Sequence, residues 1–127
     1  MIAKILVIDD NPTNLKLLSE LLEFEGHEIL KAEDAEEAQV VLAHTLPELI
    51  LMDIALPGMD GLTLTRKLKA DERTRHIRIV ALTAFAMKGD DQKAFDAGCD
   101  GYITKPIDTR KLPEQVAELL ANKRPTL

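Results

Sequence analysis

The segment Ile5-Leu6-Val7-Ile8-Asp9-Asp10 sets four apolar residues in a row, three of them β-branched, and then stops on two acids. A strand with one wet face alternates apolar and polar residues. A run that is apolar on both faces indicates a strand buried on both, as in a parallel sheet covered by helices. Outward from this segment, strand and helix alternate five times. Leu15, Leu18, Leu21 and Leu22 recur at helical spacing, and Gly26 stops that helix. Glu28 to Ala32 is a shorter, more polar strand suited to a sheet edge, and Ala35, Ala38, Val41 and Leu42 form a second amphipathic helix. Pro47 precedes the strand Leu49 to Met52, which ends at Asp53. Pro57, Gly58 and Gly61 mark a turn-rich loop, and Leu62, Leu64 and Leu68 carry a third helix. Ile77 to Leu82 is a fourth strand ending at Thr83, a helix over about Asp90 to Ala97 ends at Gly98, and Tyr102 to Thr104 is a fifth strand ending at Lys105. Val116, Leu119 and Leu120 mark the last helix, with Pro113 either in its first turn or distorting it. The alternation predicts an α/β fold, a doubly wound parallel sheet with right-handed crossovers on both faces.

The bulk numbers agree with one ordinary domain. The chain has 127 residues, 46% hydrophobic and 30% charged, enough to bury a core that must be aliphatic, since there is no Trp and one Tyr. A net charge of −6 argues against nucleic-acid binding, which needs clustered Lys and Arg. The first ten residues, MIAKILVIDD, reach acids within one strand length, so they read as neither a signal peptide nor a membrane span. The single Cys99 cannot form an internal disulfide, which fits a cytoplasmic location. His27, His44 and His76 sit at no ligand spacing and read as surface residues, and Cys99 as a buried small hydrophobe.

Four of the five strands end on a chemically useful side chain: Asp9 with Asp10, Asp53, Thr83 and Lys105. Any one of them reads as an ordinary polar residue ending a strand. A parallel sheet, however, puts all these ends on one rim, where ligand sites form. Two carboxylates about 4 Å apart repel by roughly 4 kcal/mol at an effective dielectric of 20, so a cluster of three calls for a cation. Oxygen donors without a nearby His or Cys suit Mg²⁺. Beside Mg²⁺ a carboxylate can attack phosphorus to give an aspartyl phosphate, with Lys105 and Thr83 neutralising the transferred oxygens.

The motifs VIDDN, LMDIALPGMDG, ALTA and YITKP, in this order and spacing, resemble the receiver domain of two-component response regulators across essentially the whole chain. TAFAMKGD is similar to single-domain regulators of the DivK and chemotaxis types, and similar receivers are fused to hybrid histidine kinases. The resemblance implies a flavodoxin-like (βα)5 fold of strand order 2-1-3-4-5, with residues 1–123 as the receiver and 124–127 as a short tail with no output domain. It implies that Asp53 accepts the phosphoryl group. Asp10, Asp53 and the backbone carbonyl of Ala55 would hold Mg²⁺, with Asp9 helping through water. Lys105 would pair with the phosphoryl group, and its bond to Pro106 would be cis. Thr83 and Tyr102 would be a switch pair. The implied partners are a histidine kinase or histidine phosphotransfer protein and a downstream protein target, with no membrane and a monomer or weak dimer.

Phe85, Met87 and Lys88 follow Thr83 and read either as loop residues folded on the core or as a partner surface reshaped by phosphorylation. Two rival functions share parts of this pattern. Hydrolases of the haloacid dehalogenase type carry two acids spaced by one residue after the first strand, whereas Asp53 follows the third strand and precedes Ile54 and Ala55. A flavin-binding module needs phosphate-cradling loops, and these loops are acidic.

Overall fold

A computed structural model describes residues 2–83 and 90–121. The sequence expectations for Phe85, Met87 and Lys88, and for the tail 124–127, fall outside the described residues. The order of elements is β1 (Lys4–Ile8), α1 (Pro12–Phe24), β2 (Glu28–Ala32), α2 (Ala35–His44), β3 (Leu49–Asp53), α3 (Gly61–Ala70), β4 (Arg78–Thr83), α4 (Asp90–Ala97), β5 (Gly101–Thr104) and α5 (Leu112–Ala121). The five strands are parallel in the order β2-β1-β3-β4-β5, the doubly wound arrangement.

The two-residue period of the strands divides the core between the faces. Leu6, Ile8, Ile50, Met52, Ile79 and Ala81 face one layer, filled by Ala35, Ala38 and Leu42 of α2, Leu64 and Leu68 of α3, and Ala94 of α4. Their odd or even neighbours Ile5, Val7, Leu49, Leu51, Val80 and Leu82 face the other, filled by α1 and α5 through Leu15, Leu18, Leu22, Leu112, Val116 and Leu120. This is why β1, β3 and β4 are apolar on both sides. Edge strand β2 is only partly buried, as its polar composition requires.

The helices start where the sequence offers caps. Asn11 accepts from the N–H groups of Thr13 and Asn14 and is followed by Pro12 at the first helical position. Asp34 caps α2 through Glu37 N–H, and Asp60 caps α3 through Thr63 N–H. Pro113 sits in the first turn of α5, where a missing N–H costs nothing.

One expectation is corrected. His44 and His76 are exposed, but His27 is buried, with 7% of its surface accessible. Its Nδ1 accepts the Ala3 N–H at 3.0 Å, closing the gap between the beginnings of β1 and β2. A lone His in a polar segment carries no periodic signal for such a role. Cys99 is buried as expected. Among the described residues no helix is long and apolar enough to cross a membrane.

Candidate functional site

Strand register assembles the polar rim. Ile8 pairs with Met52, so the next step brings Asp9 alongside Asp53. Asp53 pairs with Leu82, which leaves Thr83 one step beyond, and Thr83 pairs with Thr104, the residue before Lys105. Two backbone bonds extend the ladder past the strand ends: Ile54 N–H donates to Leu82 O at 3.1 Å, and Lys105 N–H to Thr83 O at 2.7 Å. The Lys105–Pro106 peptide bond is cis.

The side chains converge as the spacing implied. Carboxylate oxygens of Asp9, Asp10 and Asp53 lie within 4.8 Å of one another. Lys105 Nζ donates to Asp53 Oδ2 at 2.8 Å and to Asp9 Oδ2 at 3.4 Å. The second oxygen of each buried acid is held by the backbone two residues on: Asn11 N–H donates to Asp9 Oδ1 and Ala55 N–H to Asp53 Oδ1, both at 2.9 Å. Asp9 is fully buried, Asp53 nearly so, and Asp10 is exposed at the mouth.

These positions determine how the charges behave. Burial pushes the Asp9 carboxyl above the ordinary carboxylate value, and the neighbouring Asp53 charge adds to this, against the Asn11 N–H and Lys105. Burial works against the Lys105 ammonium, but its hydrogen bond to Asp53 and the attraction of Asp53 and Asp9 outweigh it and hold its pKa above the usual lysine value. One cation is therefore shared between two buried anions while a third waits at the rim. A divalent cation fits this donor set: three hard carboxylate oxygens within reach, one of them on the exposed Asp10, with no soft ligand in the cluster among the described residues.

Thr83 is buried at the end of β4, and Tyr102 is half-buried on β5. Because Ala81 pairs with Tyr102 and Thr83 with Thr104, alternation puts Thr83 and Tyr102 on the same face of the sheet, that of α3 and α4. Ala55 is exposed beside Asp53, and its N–H is the group that fixes Asp53 Oδ1.

Sequence reasoning missed the role of Gly61. A Cβ there would stand 2.8 Å from the carbonyl oxygen of Asp53 and 2.9 Å from Ile54 Cα, so only glycine lets the start of α3 lie against the backbone of the acid. Gly61 N–H also donates to Ile54 O at 2.9 Å. The available signal was a glycine directly after the capping residue Asp60, read only as turn chemistry.

Comparison with known proteins places this geometry. Residues 5–117 match the response regulator receiver domain family. The polar-differentiation response regulator DivK of Brucella ovis is 40% identical over 122 residues, covering 96% of this chain and 99% of the relative. A putative response regulator from Chloroflexus aurantiacus superposes with a TM-score of 0.90 at 30% identity, covering 96% of this chain and all of that one. The receiver domain of a sensor histidine kinase from Pseudomonas aeruginosa, solved with a magnesium ion coordinated in its active site cleft, superposes with a TM-score of 0.86 at 30% identity, covering 96% and 100%. With its family motifs, strand order and acidic rim in agreement, this chain belongs to the response regulator receiver domain family of two-component signalling.

Proposed function

We propose that Asp53 accepts a phosphoryl group from the phosphohistidine of a histidine kinase or histidine phosphotransfer protein, and that the phosphorylated domain signals through protein contacts. The observation that carries this reading is the Lys105 ammonium 2.8 Å from Asp53 Oδ2, on a rim shared with Asp9 and Asp10. Asp10, Asp53 and the Ala55 carbonyl would hold Mg²⁺, with Asp9 acting through water. The ion would neutralise the carboxylates and the non-bridging phosphoryl oxygens.

The chain's own residues do the rest. A carboxylate oxygen of Asp53 attacks phosphorus as the P–N bond to the donor imidazole breaks, and the imidazole leaves with the bond's electron pair. Ala55 N–H and Lys105 orient the Asp53 carboxylate before attack. Lys105 then pairs with a phosphoryl oxygen. The Thr83 hydroxyl turns toward the new phosphate, and Tyr102, on the same face, takes up the vacated space. A partner reads the result on β5 and α5 and on the segment with Phe85, Met87 and Lys88. Water later hydrolyses the acyl phosphate.

A groove of about 490 Å³ lined by Asn14, Leu17, Leu18, Lys105, Pro106 and Ile107 would offer the phosphodonor an apolar seat next to the lysine that pairs with Asp53. The lone buried Cys99 favours the cytoplasm. The deciding experiment is intact-mass analysis after treatment with acetyl phosphate and Mg²⁺. The wild type should gain one phosphoryl group and Asp53→Asn none. Stoichiometric labelling of Asp53→Asn refutes the assignment.

A further inference from the structure

At the opposite end of the sheet, several basic side chains gather where α3 ends and β4 begins. Six of the chain's 16 Lys and Arg residues fall within residues 66–78, against two of its 22 acids. A cavity of about 640 Å³ lies there, with an apolar wall of Leu46, Pro47 and Ile77 and a polar side made by Arg73, His76 and Arg78. A second cavity of about 420 Å³ shares His76 with it and is lined also by Lys69, Arg75, Gly98 and Asp100, the last paired with Lys69. Glu48 is on the same rim, with its Oε1 directed to the Lys4 N–H at 3.5 Å. Arg78 begins the strand that Thr83 ends, so the cavity and the acidic rim are about 17 Å apart by strand rise.

The cations differ in how they are held. Arg78 donates through one guanidinium nitrogen to the carbonyls of Leu119 and Leu120, which fixes it against the end of α5, and its other guanidinium N–H groups make no hydrogen bond or ion pair among the described residues. Lys69 is spent on Asp100 and on the carbonyls of Arg75 and Ile77. The exposed Arg73, Arg75 and His76 side chains make no ion pair or hydrogen bond among the described residues. The loop presenting them is nonetheless braced. Asp71 Oδ1 accepts Arg73 N–H at 2.8 Å, and its carbonyl accepts from Thr74 and Arg75. The buried Thr74 hydroxyl donates to Leu68 O at 2.6 Å, and Lys69 pins Ile77 O at 2.7 Å. The braced backbone lowers the cost of ordering this loop around a ligand, while the exposed Arg73 and Arg75 side chains still have to be ordered on binding.

We propose that this groove binds a phosphate ester carrying a flat ring, the chemistry of a mononucleotide. The cavity size falls in the range of small-ligand sites, roughly 300–1,000 Å³. Arginine suits phosphate because its planar fork donates two parallel hydrogen bonds, and the apolar wall suits a ring face. The site is built from residues remote from Asp53 and takes no part in phosphotransfer.

The test is isothermal titration of the full chain in chelator, which keeps metal–nucleotide complexes off the acidic rim. ATP and GTP are the probes, with adenosine, pyrophosphate and polyglutamate as partial ones. Saturable one-to-one nucleotide binding is expected, weakened by about tenfold or more in Arg73→Glu, with adenosine and pyrophosphate each binding about tenfold less tightly than the whole nucleotide. His76→Ala, which alters the wall shared by both cavities, should also weaken binding. Retained circular dichroism and Mg²⁺-dependent labelling by acetyl phosphate show that each variant is folded. Absence of saturation, unchanged binding in both variants, or displacement by polyglutamate as effective as by nucleotide overturns the proposal. The last outcome would make the groove a seat for an acidic protein segment.

Discussion

Removing the Lys105 ammonium should turn Asp53 from a nearly neutral contributor to stability into a destabilising one. Lys105 Nζ lies 2.8 Å from Asp53 and 3.4 Å from Asp9. At an effective dielectric near 20 these separations give attractions of about 6 and about 5 kcal/mol. The acids' oxygens lie within 4.8 Å of one another. At that outer limit the repulsion is about 3.5 kcal/mol per pair, and less for the exposed Asp10, where water screens. For Asp53, one strong attraction and two weaker repulsions come close to cancelling. In chelator, Asp53→Asn should therefore change stability by no more than about 1–2 kcal/mol. In a Lys105→Met background only the repulsions remain, and the same change should stabilise by about 3 kcal/mol or more. The coupling of the double-mutant cycle is then about 3–6 kcal/mol, large beside the roughly 5–15 kcal/mol of a whole domain. Urea unfolding of the four proteins at low ionic strength measures it. Mg²⁺ should recover part of the Lys105→Met loss, since a bound cation replaces the missing one. A coupling below about 0.5 kcal/mol would refute the reasoning, because three charges sharing one water-poor site cannot be independent.

Other consequences are as direct. Gly61→Ala forces a methyl against the Asp53 carbonyl, so it should cost about 1–3 kcal/mol in urea melts and slow labelling by acetyl phosphate. Thr83→Ala should still accept a phosphoryl group, but beryllofluoride should shift fewer backbone resonances in β5 than in the wild type; an equal response sinks the coupling to Tyr102. His27 gives stability a pH dependence: burial holds its pKa below the ordinary 6.5, and its Nδ1 must stay unprotonated to accept the Ala3 N–H. The folded state thus binds fewer protons than the unfolded one. This contribution is complete above about pH 6.5 and is lost as pH falls through the lowered folded value, a slope that His27→Gln should remove from melts between pH 7 and 5.

Why the acidic rim was readable and the rest was not follows from the kind of signal each residue carries. Ile5–Ile8 and Leu49–Met52 are apolar on both faces because helices cover both, and the first polar residue after each must emerge at the same edge. Parallel strands make that edge common, so Asp9, Asp53, Thr83 and Lys105 could be brought together from spacing alone. Strand limits moved by a residue at Lys4, Asp53, Ile77, Thr83 and Gly101, because a strand's limits are set by backbone pairing and leave little mark on side-chain pattern. His27 acts through one hydrogen bond to the Ala3 backbone, and Gly61 through close approach to the backbone of Asp53 and Ile54. Nothing periodic announces such contacts, and only the packed structure shows what lies opposite.

The same lysine that makes the acidic rim tolerable also prepares it for use. In the folded chain Lys105 is bound to the group proposed to react, so its charge offsets Asp53 and Asp9 without a long-lived pair elsewhere to break. In the proposed transfer, the ammonium would need only a short displacement to meet negative oxygens arriving on Asp53, with its contact to Asp9 as a second tether. A lysine placed further off would leave the apo site destabilised and would have to be recruited during transfer, at an entropic cost. The backbone bond from Lys105 N–H to Thr83 O joins this lysine directly to the proposed switch residue, where β4 and β5 end side by side. If Asp53 is modified as proposed, the residue that offsets the resting acids would carry that change through its own main chain to Thr83.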